Sequence, residues 1–373
     1  MRVGVLVSSI GNFGTSGFYN AQEIGLAKAL ASLCSEVKVY KLFAGDGTCR
    51  EESIGSCDNA SITFVPAKHA GINGFVDTSV LDKSLDALIY FSDTQLSLPR
   101  VARWAGRNGI TLLPYIGVLG SHSTNRMKKW LMDRLLFRNL RVYRKCHCFA
   151  KTPTVAGLLK DYRVADITVA PVGLDFSLLK ADYQNHQADA IKQEYGYGPD
   201  EKVLLFIGRL TEEKRPVEMV ELFSKLVEKD SAFRLLMVGS GELSTDVDHA
   251  ISKYGLQNAV RRIERIANSE IWELYRMAEV FVNLNRQEIF GMAILEAMYY
   301  GCKVVAWHAP GPDYMIENGV SGWLAESAEQ AVEKIMDMSN LSAAANQRIK
   351  TAFLWENTAY KMTEYLRKRA SKP

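Results

Sequence analysis

The sequence predicts an α/β protein of two doubly wound domains, each a mostly parallel sheet with helices on both faces. Three observations carry this. The chain has 373 residues, more than one typical core accommodates. Short apolar runs alternate with helix-length segments, the pattern of strands joined by crossover helices. The alternation stops at a polar stretch, residues 176–201, and starts again after it.

The elements follow in order. RVGVLVS (2–8) reads as a first strand. A helix is expected over 18–33, with Ile24, Ala27, Leu30, Ala31 and Leu33 broadly along one face. Strands follow at 36–43 and 61–65, then the apolar runs DALIYFS (86–92) and TLLPYIG (111–117). KCHCFA (145–150) reads as a strand with alternating side chains, in preference to a metal site at Cys146, His147 and Cys148. The turn-like GYGPD (196–200) closes the polar connection. The second domain is expected to run KVLLFIG (202–208), helix near 216–229, FRLLMVG (233–239), helix near 244–254, VRRIER (260–265), helix 269–277, EVFVNL (279–284), helix 291–300 and KVVAW (303–307). The predicted organisation is a domain over 1–175, a linker over 176–201, a domain over 202–350, and a C-terminal helix over 351–373 packing back toward the first domain.

Composition narrows the class. With 47% hydrophobic and 23% charged residues, the chain is of ordinary globular type. MRVGVLVSS lacks the long apolar stretch of a secretion signal, and no run reaches the ~18 apolar residues of a membrane span. The six cysteines are mostly far apart, consistent with reduced thiols in a cytoplasmic protein. Charge is unevenly spread. Residues 1–175 carry 21 Lys and Arg against 14 Asp and Glu, +7, and the remainder 24 against 28, −4. The two halves are therefore expected to meet different partners.

The residues with chemistry in the second half lie where strands end, which is where doubly wound sheets bind ligands. Arg209 and Lys214 follow KVLLFIG and supply a planar fork and a point charge for a diphosphate. The helix beginning near Gly291 offers free N–H groups and a positive dipole end to an anion, and Gly291 permits close approach. Glu288 stands before that helix and Glu296 inside it, with seven residues between them. The first is placed for hydroxyls beyond the phosphates, the second for a ribose diol. Such a ligand is a nucleotide sugar. Gly11, Gly14 and Gly17 have the wrong spacing for a dinucleotide loop. Asp246 and Asp248 fall in a predicted helix, where a solvated face is the plainer reading.

The stretch Glu288-IFGMAIL-Glu296 resembles the E-x7-E motif of retaining glycosyltransferases of family 4, which have the GT-B fold of two Rossmann-like domains facing a central cleft. FIGRLTEEKR, VGSGE, PVGLD (171–175) and GVSGWL (319–324) match that family's other motifs in order. The resemblance implies a metal-independent hexosyltransferase without a cofactor, acting on a UDP- or GDP-linked sugar with retention. Arg209 and Lys214 would stabilise the leaving diphosphate, Glu288 would contact the donor sugar, and Glu296 the ribose. The backbone of Phe290, Gly291 and Met292 would meet phosphates or sugar. Gly17 and Gly239 would approach the donor, and the backbone at Ile266 would meet the base. Where the family usually has glycine, this chain has Arg265, which leaves the base open. His122, or in another register Gly117, is the candidate for the first domain's contact with the donor sugar.

The expected acceptor is a glycan or glycolipid, in cell-surface polysaccharide or lipopolysaccharide biosynthesis, with no nucleic acid involved. Residues 126–145 hold eight basic residues and one acidic, interleaved with Trp130, Leu131, Leu135, Leu136, Phe137 and Leu140. They read either as a domain helix with a basic face or as a peripheral contact with the anionic inner face of the plasma membrane. Alternative readings are a nucleotide-sugar epimerase of the same architecture and a non-catalytic sugar-nucleotide-binding protein.

Overall fold

A computed structural model describes residues 1–10, 21–55, 57–120 and 126–371. The chain forms two compact units, Met1–Asp175 with Leu354–Pro373, and Phe176–Phe353.

The first unit contains strands β1 (Arg2–Val7), β2 (Glu36–Ala44), β3 (Arg50–Ile54), β4 (Cys57–Ala67), β5 (His69–Ala70), β6 (Asn73–Gly74), β7 (Ala87–Phe91), β8 (Thr111–Ile116), β9 (Cys148–Ala150) and β10 (Ile167–Val169). Its helices are α1 (Gln22–Ala31), α2 (Leu98–Arg107), α3 (Arg126–Tyr143) and α4 (Pro153–Asp161). The main sheet has the order β10-β9-β8-β7-β1-β2-β4-β3, and β5 and β6 form a separate ribbon. Every pair in the main sheet is parallel except β3 with β4. β7 is buried along its whole length, as a strand covered on both faces must be.

The second unit contains β11 (Lys202–Ile207), β12 (Phe233–Val238), β13 (Val260–Ile263), β14 (Val280–Asn283), β15 (Lys303–Trp307) and β16 (Trp323–Ala325). Its helices are α5 (Ala188–Glu194), α6 (Pro216–Lys229), α7 (Ser244–Lys253), α8 (Ile271–Met277), α9 (Met292–Tyr299), α10 (Pro312–Met315), α11 (Ala328–Met336) and α12 (Ser342–Ala352). The all-parallel sheet has the order β13-β12-β11-β14-β15-β16. This is the Rossmann order, which reverses direction between β11 and β14. A last helix, α13 (Trp355–Ala370), belongs to the first unit and packs on α1.

Two sequence expectations change. Residues 176–201 are not a free connection but part of the second unit. The Tyr183 hydroxyl donates to the Tyr299 carbonyl at 3.0 Å, the Lys180 N–H donates to the Tyr300 hydroxyl at 3.1 Å, and the Tyr195 hydroxyl donates to Glu273 at 3.0 Å. The polar composition hid two tyrosine anchors, Tyr183 and Tyr195. In KCHCFA only Cys148–Ala150 is strand. His147 is held outside it, with Nδ1 at 2.6 Å from Asp166 and its ring stacked on Tyr365 at 3.8 Å between centroids.

Candidate functional site

The reversal of strand order sets the site. β11 and β14 are neighbours, and their following loops leave the sheet at the carboxyl end of the switch point, where such sheets bind ligands. The loop after β11 carries Arg209 and ends in a tight turn, Glu212–Lys214. The loop after β14 carries Asn285 and Glu288 and leads into α9.

Lys214 Nζ donates to Glu288 Oε2 at 2.6 Å, joining the two loops. Asn285 Nδ2 and Asn283 Nδ2 donate to the same oxygen at 3.2 and 3.4 Å. The Lys214 and Glu288 side chains are 23% and 13% exposed, so the pair is screened far less than a surface pair. Among the described residues the bonds converge on Oε2, which leaves Oε1 to accept from a ligand hydroxyl. Local chemistry builds this loop. Asn283 Oδ1 accepts from the Asn285 N–H and Asn285 Oδ1 from the Gln287 N–H, each at 2.9 Å, two successive asparagine turns. The Gly311 N–H donates to the Glu288 carbonyl at 2.8 Å and ties the loop down.

Gly291 sits at φ 83° immediately before α9, where a side chain would be strained. Among the described residues no side-chain bond caps the start of α9 at Gly291, and a helix start of this kind, beginning at Met292, can take an anion. Phe290 is buried and anchors the approach. Gly239, at φ 142°, lies so close to the loop after β11 that a Cβ would fall 1.9 Å from the Gly208 carbonyl oxygen. The Leu210 N–H donates to the Ser240 carbonyl at 3.0 Å, and the Leu243 N–H to the Leu210 carbonyl at 2.9 Å. Gly239 thus lets the loops after β11 and β12 stitch together, which positions the turn that carries Lys214.

The other expected residues divide. Arg209 is not joined to this group among the described bonds: its guanidinium pairs with Glu213 at 2.6 Å and its side chain is 67% exposed. Such a surface pair is worth about 0–1 kcal/mol, so a diphosphate could draw Arg209 away cheaply. Glu296 accepts from the Tyr275 hydroxyl at 3.0 Å. The residue is half-buried, and desolvation of its carboxyl pushes the pKa up to about 7, a shift that the Tyr275 hydrogen bond partly offsets. Ile266 is half-buried in the loop after β13, at the sheet edge two strands from β11. Asp248, on α7, pairs with Arg262. Gly17 and His122 lie outside the described residues.

Sequence reasoning missed Asn283, Asn285 and Tyr275. The two asparagines carried a signal: polar residues two apart at the end of an apolar strand share a face. At the carboxyl ends of the first unit's strands it also missed Asp93 and Lys151. Asp93 Oδ1 accepts from the Gly117 and Val118 N–H groups at 2.5 and 3.1 Å. Lys151 is buried over the rings of Phe91 and Tyr115 and donates to Gln22 Oε1 at 3.3 Å. A side chain on Gly117 would crowd Lys151, its Cβ falling 2.7 Å from Lys151 Cδ.

Known proteins share this architecture. Residues 187–355 match the family model "Glycosyl transferases group 1". Sucrose-phosphate synthase from Thermosynechococcus elongatus superposes with a TM-score of 0.73 at 15% identity, covering 99% of each chain. The Anabaena protein HepE, solved in complex with UDP, also gives 0.73 at 15% identity, covering 99% of this chain and 100% of that one. Among curated proteins, the alpha-monoglucosyldiacylglycerol synthase of Acholeplasma laidlawii is 23% identical over 172 residues, 46% of this chain and 43% of that enzyme. The chain spans about half the length of the curated relatives it matches. The fold is GT-B, two Rossmann-like units in one chain. Residues 187–355 thus resemble the glycosyl transferases group 1 family.

Proposed function

We propose that this chain transfers a hexose, with retention of configuration, from a nucleoside diphosphate sugar to a glycan or lipid-linked acceptor in cell-surface polysaccharide or lipopolysaccharide biosynthesis. The observation that carries the reading is the Lys214–Glu288 pair, which joins the loops after β11 and β14 at the switch point, beside the uncapped start of α9. Lys214, with Arg209 recruited from Glu213, and the α9 N–H groups would neutralise the departing diphosphate. Stabilising charge that develops only in the transition state is what accelerates the step. With that charge met by side chains and backbone, the reaction needs neither metal nor cofactor. Glu288 Oε1 would accept from a donor-sugar hydroxyl, and Glu296 from the ribose diol. The acceptor hydroxyl then attacks on the face from which the diphosphate leaves.

The match of residues 187–355 to the glycosyl transferases group 1 model and the likeness in fold to a UDP-bound protein support the donor class. The name of the Acholeplasma laidlawii enzyme, a glucosyldiacylglycerol synthase, supports a lipid-linked acceptor. Among the described residues no helix is long and apolar enough to cross a membrane. We place the protein in the cytoplasm, resting peripherally on the inner face of the plasma membrane. The test is incubation with a panel of UDP- and GDP-sugars, reading release of nucleoside diphosphate with and without candidate acceptors. Slow release from one donor, accelerated by an acceptor, is expected. Conversion of the sugar without release would mark an epimerase, and binding without either would mark a silent sugar-nucleotide receptor.

A further inference from the structure

The first unit contains a cavity of about 570 Å³ at the opposite end of its sheet from the usual ligand end. Thr111, the first residue of β8, lines it, as does His147, just before β9. α2, from Pro99 to Gly106, and the last turns of α3 and α13 close it. Ala105, Ile110, Leu112 and Val142 give it apolar walls. Arg103, Arg138, Arg141, Lys145 and Arg369 also line it, and no Asp or Glu does among the described residues.

Basic residues often gather at helix C-termini to offset the dipole, but the charges here exceed that need. Three helix ends supply about −1.5 elementary charges, and Asp166 behind His147 one more, against five cations, which leaves about +2.5. A second observation points inward. His147 lines the cavity at 7% exposure, its Nδ1 is taken by Asp166, and among the described residues its buried Nε2 has no partner. Unpaired buried polar atoms are rare; with Nδ1–H given to Asp166, Nε2 of the neutral ring is an acceptor, which a ligand hydroxyl such as the P–OH of a singly ionised phosphate can meet.

We propose that this cavity is a second ligand site, which takes an anionic amphiphile: a phosphate-type headgroup against the cations and His147, with an alkyl body along the apolar wall. The five cations are exposed and give the headgroup its entry. The site lies wholly within the first unit and does not depend on the donor site.

The test is calorimetric titration of the full chain with octyl phosphate below its micelle concentration, with inorganic phosphate and 1-octanol in parallel. Saturable binding of one octyl phosphate per chain is expected, much tighter than either half alone. Arg141→Ala with Arg369→Ala should weaken it roughly tenfold, the order for two partly exposed charge contacts. His147→Phe should weaken it as well, while Lys214→Ala should leave it unchanged. A second pair, Arg103→Ala with Lys145→Ala, guards against a folding defect in the first. Inorganic phosphate binding as tightly would reduce the site to a free-phosphate site and overturn the amphiphile. Octanol binding as tightly, no effect of either double variant, or loss in Lys214→Ala would overturn the site itself. None of these results bears on whether the chain transfers sugar.

Discussion

Lys214 and Glu288 are 74 residues apart in sequence and 2.6 Å apart in the fold. On the mechanism proposed, half-buried Lys214 meets the diphosphate directly, whereas Arg209 is mostly exposed and would first have to leave Glu213. Lys214→Ala is therefore expected to lower kcat by roughly 10²-fold or more, the order for loss of one preorganised charge donor. Arg209→Ala should cost less. Wild-type turnover in Lys214→Ala would remove this residue from the mechanism. Glu296 yields a pH prediction. Its carboxyl titrates near 7, raised by burial from the usual carboxylate range. On the proposed contact, ribose hydroxyls donate to the ionised form, so donor affinity should rise as pH climbs from about 6 to 8, with proton release on binding near pH 6.5. Titration calorimetry in buffers of different ionisation enthalpy reads this release, and Glu296→Gln should abolish it. The folded-state pKa lies above the unfolded value, so the same group stabilises the fold at low pH and loses that contribution as pH rises through 7. A donor affinity independent of pH in the wild type would argue against a ribose contact at Glu296.

At the scale of elements, α13 depends on one close approach. A Cβ on Gly173 would fall 2.2 Å from the Trp355 nitrogen and 2.7 Å from its Cα, backbone atoms that cannot swing away. Trp355 is itself fully buried. Gly173→Ala is expected to cost about 1–3 kcal/mol by overpacking, seen as a fall of several degrees in Tm. An unchanged Tm would mean that α13 shifts freely at its start. α3 carries a different expectation. Met127, Trp130 and Phe137 are 77%, 57% and 61% exposed. With Arg134 and Arg141 they recur at three- and four-residue steps and share a face, and the Arg134 guanidinium lies 5.0 Å from the Trp130 ring centroid. Leu140 and Tyr143 are buried on the other side. An anionic leaflet offers about 1 kcal/mol per nearby Lys or Arg. Binding to anionic vesicles is expected, weakening with salt because the Debye length is about 8 Å at physiological ionic strength. Trp130→Ser with Arg134→Ser and Phe137→Ser should release the protein. Equal partitioning onto neutral and anionic vesicles would return α3 to an ordinary domain helix.

At the scale of the molecule, the chain leaves the first unit after Asp175 and re-enters it at Leu354, so that the first unit is completed by the last twenty residues. The charge split of +7 and −4 follows the sequence halves, and the returning segment Leu354–Pro373 adds further basic residues to the first unit. Such a division suits a first unit against an anionic surface and a net acidic second unit that holds Arg209 and Lys214 at its strand ends. On the mechanism proposed, full activity is expected in EDTA. Complete loss on chelation, restored by Mn²⁺ or Mg²⁺, would replace side-chain neutralisation of the diphosphate with a metal ion.

The parallel strands and their helices were legible because hydrophobic period is a property of neighbouring residues. KVLLFIG and EVFVNL read as buried strands before any partner is known, and Lys214, Glu288 and Gly291 could be named because chemistry in a doubly wound domain collects where strands end. Which loops then meet is not local. Strand order brings β11 beside β14, and only that neighbourhood shows that Lys214 reaches Glu288 while Arg209 turns to Glu213. The shared anchoring of Glu288 by Asn283 and Asn285, the burial of Glu296 against Tyr275, and the enrolment of residues 176–201 through their tyrosines depend likewise on side chains meeting across the fold. So does the cationic cavity, whose residues come from α2, α3, α13 and the segments before β8 and β9. Period and turn chemistry write the elements into the sequence, whereas desolvation and charge pairing exist only once those elements are packed together.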